Sequence, residues 1–272
     1  MRFELQSNKG KSVRETFAPD GGVVFPEPKG STVGYGQPLL SHPLPSLPTA
    51  IAESGVLNNL AGRTYRLFSN HGYVQETLPA VEYYKFAYTR IRDNVHAIDI
   101  CEQRITSLLR EIDGHFRKNK ELRPAGQYSI SFEKEIYELR TEVTNLVFLS
   151  RAVLDLLSTL AQTIYGPSIG QYSSFNSFLK AALNKPEFPD DVLKQHLDSN
   201  IPWFYLLKDV RDYLAHYGAL RFTLREYEGT LMVYAFHKKE VSFMVQSIHK
   251  GLVDFLAFLN THWSEYVEMH NK

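Results

Sequence analysis

From Leu78 onward the apolar residues recur every three or four positions, at Tyr84, Tyr88, Ile91, Val95, Ile98, Ile105, Leu108, Ile112 and Phe116, which is the spacing of one buried helix face. A second run follows Pro124 and Gly126, through Phe132, Ile136, Leu139, Val143, Leu146, Val153, Leu157, Leu160 and Ile164. Each run predicts a helix roughly 50 to 55 Å long at 1.5 Å per residue. Their matched lengths and short polar connection predict an antiparallel pair. Shorter helices are expected around Phe175 to Leu183 and Asp190 to Leu197. Pro202 suits the first turn of another, which should end at Gly218, a residue that caps helices readily.

After Gly218 the period changes to two. Arg221 to Arg225 and Leu231 to Phe236 flank Glu228-Gly229, the pattern of a β-hairpin. The remaining chain predicts a helix with Val241, Val245, Ile248, Leu252, Phe255, Leu259 and Trp263 on its apolar face. The first 50 residues are different: they hold seven of the 13 prolines and six of the 16 glycines, too many for any continuous helix. Between residues 51 and 77, Tyr65-Arg66-Leu67-Phe68 and Gly72-Tyr73-Val74 read as short strands or turns. The expected organisation is therefore an irregular Pro/Gly-rich arm over 1–77 and a helical domain over 78–272, mainly α, with an inserted hairpin.

Composition narrows the function classes. A chain of 272 residues, 43% hydrophobic and 22% charged, has the make-up of an ordinary globular protein with a substantial core. Lys plus Arg (30) balances Asp plus Glu (30), so no global positive field draws in nucleic acid, and contact with RNA must rest on a local patch. One cysteine, Cys101, excludes an internal disulfide and a cysteine-rich zinc site. Met1-Arg2-Phe3-Glu4 opens no apolar leader, and the most hydrophobic helix is interrupted by Arg151 and Asp155. The expected location is the cytoplasm, without a membrane partner.

The segment richest in chemistry is Arg211-Asp212-Tyr213-Leu214-Ala215-His216-Tyr217-Gly218. Arg offers a fixed cationic fork for phosphate oxygens, and His exchanges a proton near neutral pH. Cleavage of a phosphodiester needs both. Asp212 falls one turn before His216 on the same helix face. With these residues in view, the segment resembles the HEPN family, the helical domains of many metal-independent ribonucleases and toxins, whose signature is Arg, then Asn, Asp or His, then three residues, then His. Phe148-Leu149-Ser150-Arg151-Ala152-Val153-Leu154-Asp155 is similar to a segment of the second long helix of such domains, and the likeness spans roughly residues 78 to 268. Asp212 stands where the family more often has Asn, and the tyrosine that some toxins carry two residues after the His is here directly after it, as Tyr217.

The resemblance implies a HEPN-like helical bundle and a metal-independent endoribonuclease, possibly serving as a toxin or defence effector. His216 would be general base or acid, Arg211 would stabilise transition-state charge, and Asp212 would orient. Arg151, Asp155 and Tyr217 would be supporting or binding groups. No cofactor and no metal are implied. The implied partners are RNA, a second copy in a homodimer whose cleft is composite, and a protein antitoxin or regulator. The alternative function is a non-catalytic dimeric module that binds nucleotide, RNA or protein.

Other patterns have plainer readings. Gly166-Pro167-Ser168-Ile169-Gly170 matches the nucleophile turn of serine hydrolases, but a long helix precedes it where a strand is required. No H-E-x-x-H occurs. Arg110 and His115 repeat the Arg–His spacing in a stretch with Arg117, Lys118 and Lys120 that reads as a solvated basic helix end. Arg151 and Asp155, four residues apart, form either an internal ion pair or part of the groove around Arg211 and His216. Asp212 would serve Lys208 or His216. Finally, five residues of an ideal helix turn through roughly 500°, which leaves Arg211 and His216 about 140° apart. Either the last turn loosens, or two chains share one cleft.

Overall fold

The computed structural model describes residues 3–5, 64–68, 75–122, 128–130, 132–165, 169, 172 and 174–270. The expected arm therefore lies outside the described residues except for three short strands, and of the Gly166–Gly170 pentapeptide only Ile169 is described. In chain order the elements are β1 (Phe3–Leu5), β2 (Thr64–Phe68), β3 (Gln75–Pro79), α1 (Ala80–Leu122), β4 (Tyr128–Ile130), α2 (Glu133–Tyr165), α3 (Phe175–Asn184), α4 (Asp191–Asn200), α5 (Pro202–Tyr217), β5 (Thr223–Tyr227), β6 (Thr230–Tyr234) and α6 (Val241–His270). The described chain is mainly helical. Its strands form three antiparallel pairs, β1 with β4, β2 with β3 and β5 with β6.

Packing divides these elements into two compact units, and α1, α2, α5 and α6 each contribute residues to both. The first unit contains 100–146 and 212–246, with β1 registered on β4 through Phe3 opposite Ile130. Here α1 and α2 run antiparallel, since Arg104 bonds Glu142 at 3.0 Å while His115, further along α1, meets Glu135, earlier on α2, at 2.9 Å. Ile105, Leu108, Ile112 and Phe116 pack inward with Ile136, Leu139 and Val143, all buried. Each such side chain contributes about 1.5–3 kcal/mol on leaving water.

The hairpin is fastened to the end of α1. Glu228 (φ 47°) and Gly229 (φ 81°) make its tight turn, with both central residues left-handed, as a two-residue hairpin favours. Leu231 and Val233 point inward. The Asp113 carboxylate accepts the Leu231 N–H at 2.8 Å and holds Arg117 through its other oxygen at 2.8 Å, and Arg117 in turn donates to Thr230. Lys120 pairs with Glu226. Arg110, His115, Arg117 and Lys118 are exposed, as a solvated basic helix end requires, and Arg117 and Lys120 also reach the hairpin. Asp113 is buried and holds Arg117, while His115 faces Glu135.

The second unit contains 147–211 and 247–270, together with α1 up to Asp99 and the β2–β3 pair. Thr64 to Phe68 forms the expected strand and pairs with Gln75–Pro79 in the register Tyr65 opposite Leu78, while Gly72-Tyr73-Val74 lies outside the described residues. Pro79 ends β3, where its missing N–H costs no interior bond. An aromatic core surrounds Phe175, whose ring lies 5.0 Å from Phe204, 5.6 Å from Phe255 and 5.9 Å from Phe178. Ser174 and Asp190 cap α3 and α4, each accepting a backbone N–H from the first turn.

Asp190 does more than cap. Its carboxylate accepts the Leu193 N–H at 2.8 Å and the Tyr165 hydroxyl, and lies 2.6 Å from His262 Nε2, while Trp263 Nε1 donates to the Tyr165 oxygen at 2.9 Å. Burial by itself would raise the Asp190 pKa, but these donors outweigh it and hold the carboxyl below the ordinary aspartate range. The α2 helix is, among the described residues, the one long and apolar enough to cross a membrane by length and composition. More than half of that stretch is buried within the protein, and Arg151 and Asp155 lie on the same helix.

Candidate active site on the motif helix

The helix that carries the Arg–His motif begins at Pro202, whose fixed φ suits the first turn, and buries Phe204, Leu207, Val210 and Leu214. It remains regular through Tyr217. Gly218 then turns left-handed at φ 76°, and its N–H still bonds the Leu214 carbonyl at 2.8 Å. The last turn is therefore not loosened, which removes one of the two ways of bringing Arg211 and His216 together. On this unbroken helix they project about 140° apart.

Arg211 belongs to the second unit. Its charge acts there on Asp155, which lies 3.1 Å from Arg151 Nη2 and accepts the Phe175 N–H at 2.8 Å. Phe175 is the first residue of α3, so Asp155 satisfies an otherwise orphaned helix-start donor while facing two guanidinium groups. Burial raises the Asp155 pKa, and the Phe175 N–H, Arg151 and Arg211 all oppose that rise. Arg151 is 7% exposed at its side chain and rests over the Phe204 ring at 5.6 Å. The internal ion pair is thus present, and Arg211 is close enough for its charge to act on Asp155.

Asp212, His216 and Tyr217 belong to the first unit. Asp212 is half-buried, whereas His216 and Tyr217 are exposed, Tyr217 to 73%. Around the helix axis Tyr213 is about 60° from His216 and Tyr217 about 100°, so the three share one side of the final turn. Tyr213 and Tyr217 lie 4.8 Å apart, and Tyr213 meets Phe236 edge-on at 5.4 Å. Phe236 starts the tight turn Phe236–Lys238, where His237 (φ 50°) and Lys238 (φ 60°) are both left-handed without being glycine. Such conformations cost about 1–3 kcal/mol each and persist where surrounding contacts impose them.

Sequence patterns had singled out Tyr217 but not Tyr213, Phe236, His237 or Lys238. The basic-aromatic run Phe236-His237-Lys238-Lys239 was the available signal. A backbone sign is not legible in residue type. The Arg–His spacing is itself weak evidence, since Arg66 and His71 also share it, with His71 outside the described residues. The described residues contain no cluster of three or more His, Cys, Asp or Glu that could hold a metal ion.

Comparison with family models, with curated proteins and with solved structures found no match to this chain.

Proposed function

We propose that the protein is an endoribonuclease of the HEPN kind, working without a metal and completed by a second copy of the chain. The observation that carries this reading is the exposed His216 at the end of an unbroken helix whose Arg211 lies within electrostatic reach of Asp155. Because the two side chains diverge on one helix, convergence on a single phosphate requires two copies related by a two-fold axis. In that cleft one imidazole takes the proton of the ribose 2′-OH, whose oxygen attacks phosphorus. The bond to the 5′-oxygen breaks, and the second copy's imidazole, protonated, supplies that oxygen with its proton. Arg211 bears the charge that builds on the phosphorane oxygens. The products are a 2′,3′-cyclic phosphate and a 5′-hydroxyl, and DNA is spared because it lacks the nucleophile.

Purified protein should cut RNA in excess EDTA and leave cyclic phosphate ends. His216→Ala should lower the rate by about 10²- to 10⁴-fold, and Arg211→Lys should also fail, because a point charge does not reproduce a planar fork. Cleavage that needs a metal, or that survives His216→Ala at equal thermal stability, overturns the proposal. The competing reading is a binding module without catalysis. It draws support from the balanced net charge and from the way Asp155 already engages Arg211.

A further inference from the structure

The row Tyr217, Tyr213, Phe236 and His237 has no role in the chemistry just described, yet it lies wholly in the unit that carries His216. Its rings are spaced at 4.8, 5.4 and 4.0 Å, the range of direct ring contact. The loop that presents it is fixed by its own backbone. Ala235 N–H bonds the Lys239 carbonyl at 2.8 Å, Lys238 N–H bonds the Ala235 carbonyl at 2.9 Å, and Lys239 N–H bonds the Phe236 carbonyl at 3.1 Å. With Phe236 lodged against Tyr213, this closed turn holds His237 and Lys238 in left-handed geometry and leaves His237, Lys238 and Lys239 exposed.

We propose that this aromatic row and its strained basic turn form a subsite for an unpaired stretch of single-stranded RNA, with a base stacked on Tyr217 and the neighbouring phosphates met by Lys238 and Lys239. The proposal deepens the ribonuclease reading and rests on it only in naming the strand offered to His216. Three features select this ligand. The exposed rings of Tyr217 and His237, backed by half-buried Tyr213 and Phe236, suit the faces of unstacked bases, which a duplex hides. Flanking ammonium groups supply the local positive charge that a chain of zero net charge lacks overall. The hydroxyls and lysines among the rings make the patch too polar for an apolar helix to cover.

The test measures binding and cleavage separately in the full-length chain. Binding is read by fluorescence anisotropy in the cleavage-blocked His216→Ala background, using a labelled single-stranded RNA of about twelve nucleotides and the same RNA as a duplex. Tyr217→Ala should weaken single-strand binding by about 5- to 100-fold, whereas Tyr217→Phe, which keeps the ring, should change it less than about twofold. Lys238→Gln with Lys239→Gln should lower the salt dependence of log K by about 0.7 per lysine lost. These positions are exposed, and matched melting temperatures exclude misfolding as the cause. If the His216-dependent cleavage is present but Tyr217→Ala and the double lysine variant bind like the parent, the subsite is wrong and the ribonuclease reading survives. If binding is lost in those variants but the unmodified chain never cuts RNA, the subsite stands and the ribonuclease reading falls. Equal affinity for duplex, or no affinity for single strands, overturns the subsite outright.

Discussion

At the scale of single residues, side chains that look like candidate chemistry in sequence divide into those committed to the fold and those left at the surface. Asp190 and His262, 72 positions apart, form a buried acid–imidazole contact that resembles half of a catalytic triad, but its hydrogen bonds go to Tyr165, through it to Trp263, and to the Leu193 N–H, all parts of the fold. Its effect is on stability. A carboxyl whose folded pKa lies below its unfolded value adds stability that is fully present above about pH 4 and lost as pH falls through the folded value. Urea denaturation should therefore show Asp190→Asn destabilised by about 3 kcal/mol near neutrality, with the gap from the parent chain closing below about pH 4. A gap independent of pH would show that the charge at Asp190 is not what the network holds. None of this was legible in the sequence, because neither residue type nor local spacing marks partners so far apart. The same holds for Arg117 and Thr230, separated by 113 positions.

Elements were far more legible than contacts. Every position expected on the apolar face of α6 is buried, from Val241 to Trp263, because a helix writes its buried side into the sequence every three or four residues. The hairpin was equally readable from Glu228-Gly229 and the alternation around it. By contrast, Gln75–Pro79 is a strand without a strand's pattern, polar and ending in proline, and only its pairing with Thr64–Phe68 defines it. Local propensity also misleads at Gly251, midway along α6. An alanine there would ordinarily favour a helix by about 1 kcal/mol, but its Cβ would overlap the indole of Trp203. Gly251→Ala should instead lower stability by about 2 kcal/mol, read as a fall in melting temperature. Trp203→Phe combined with Gly251→Ala should recover part of the loss. A stabilised Gly251→Ala would mean that α5 and α6 do not approach closely at this point.

At the scale of the whole molecule, the division by packing does not follow the division by composition. Composition separates 1–77 from 78–272, whereas packing makes its cut across α1, α2, α5 and α6, and on α5 between Arg211 and Asp212. A composite site requires association, so light scattering should give the mass of a dimer, near twice 31.2 kDa, at micromolar protein. A chain that stays monomeric there would leave divergent Arg211 and His216 without a means of meeting at one phosphate.

Both tryptophans of this chain, Trp203 and Trp263, belong to the unit that holds Arg211, and neither belongs to the unit that holds His216. Tryptophan emission is thus an optical probe of one unit alone. During unfolding it tracks the Phe175 core and the Asp190 network. Loosening confined to the hairpin, the Tyr213 row or the end of the motif helix leaves that emission unchanged and is seen instead in tyrosine absorbance. A tyrosine signal that departs from the tryptophan signal would mark loosening away from the surroundings of Trp203 and Trp263, with no label added.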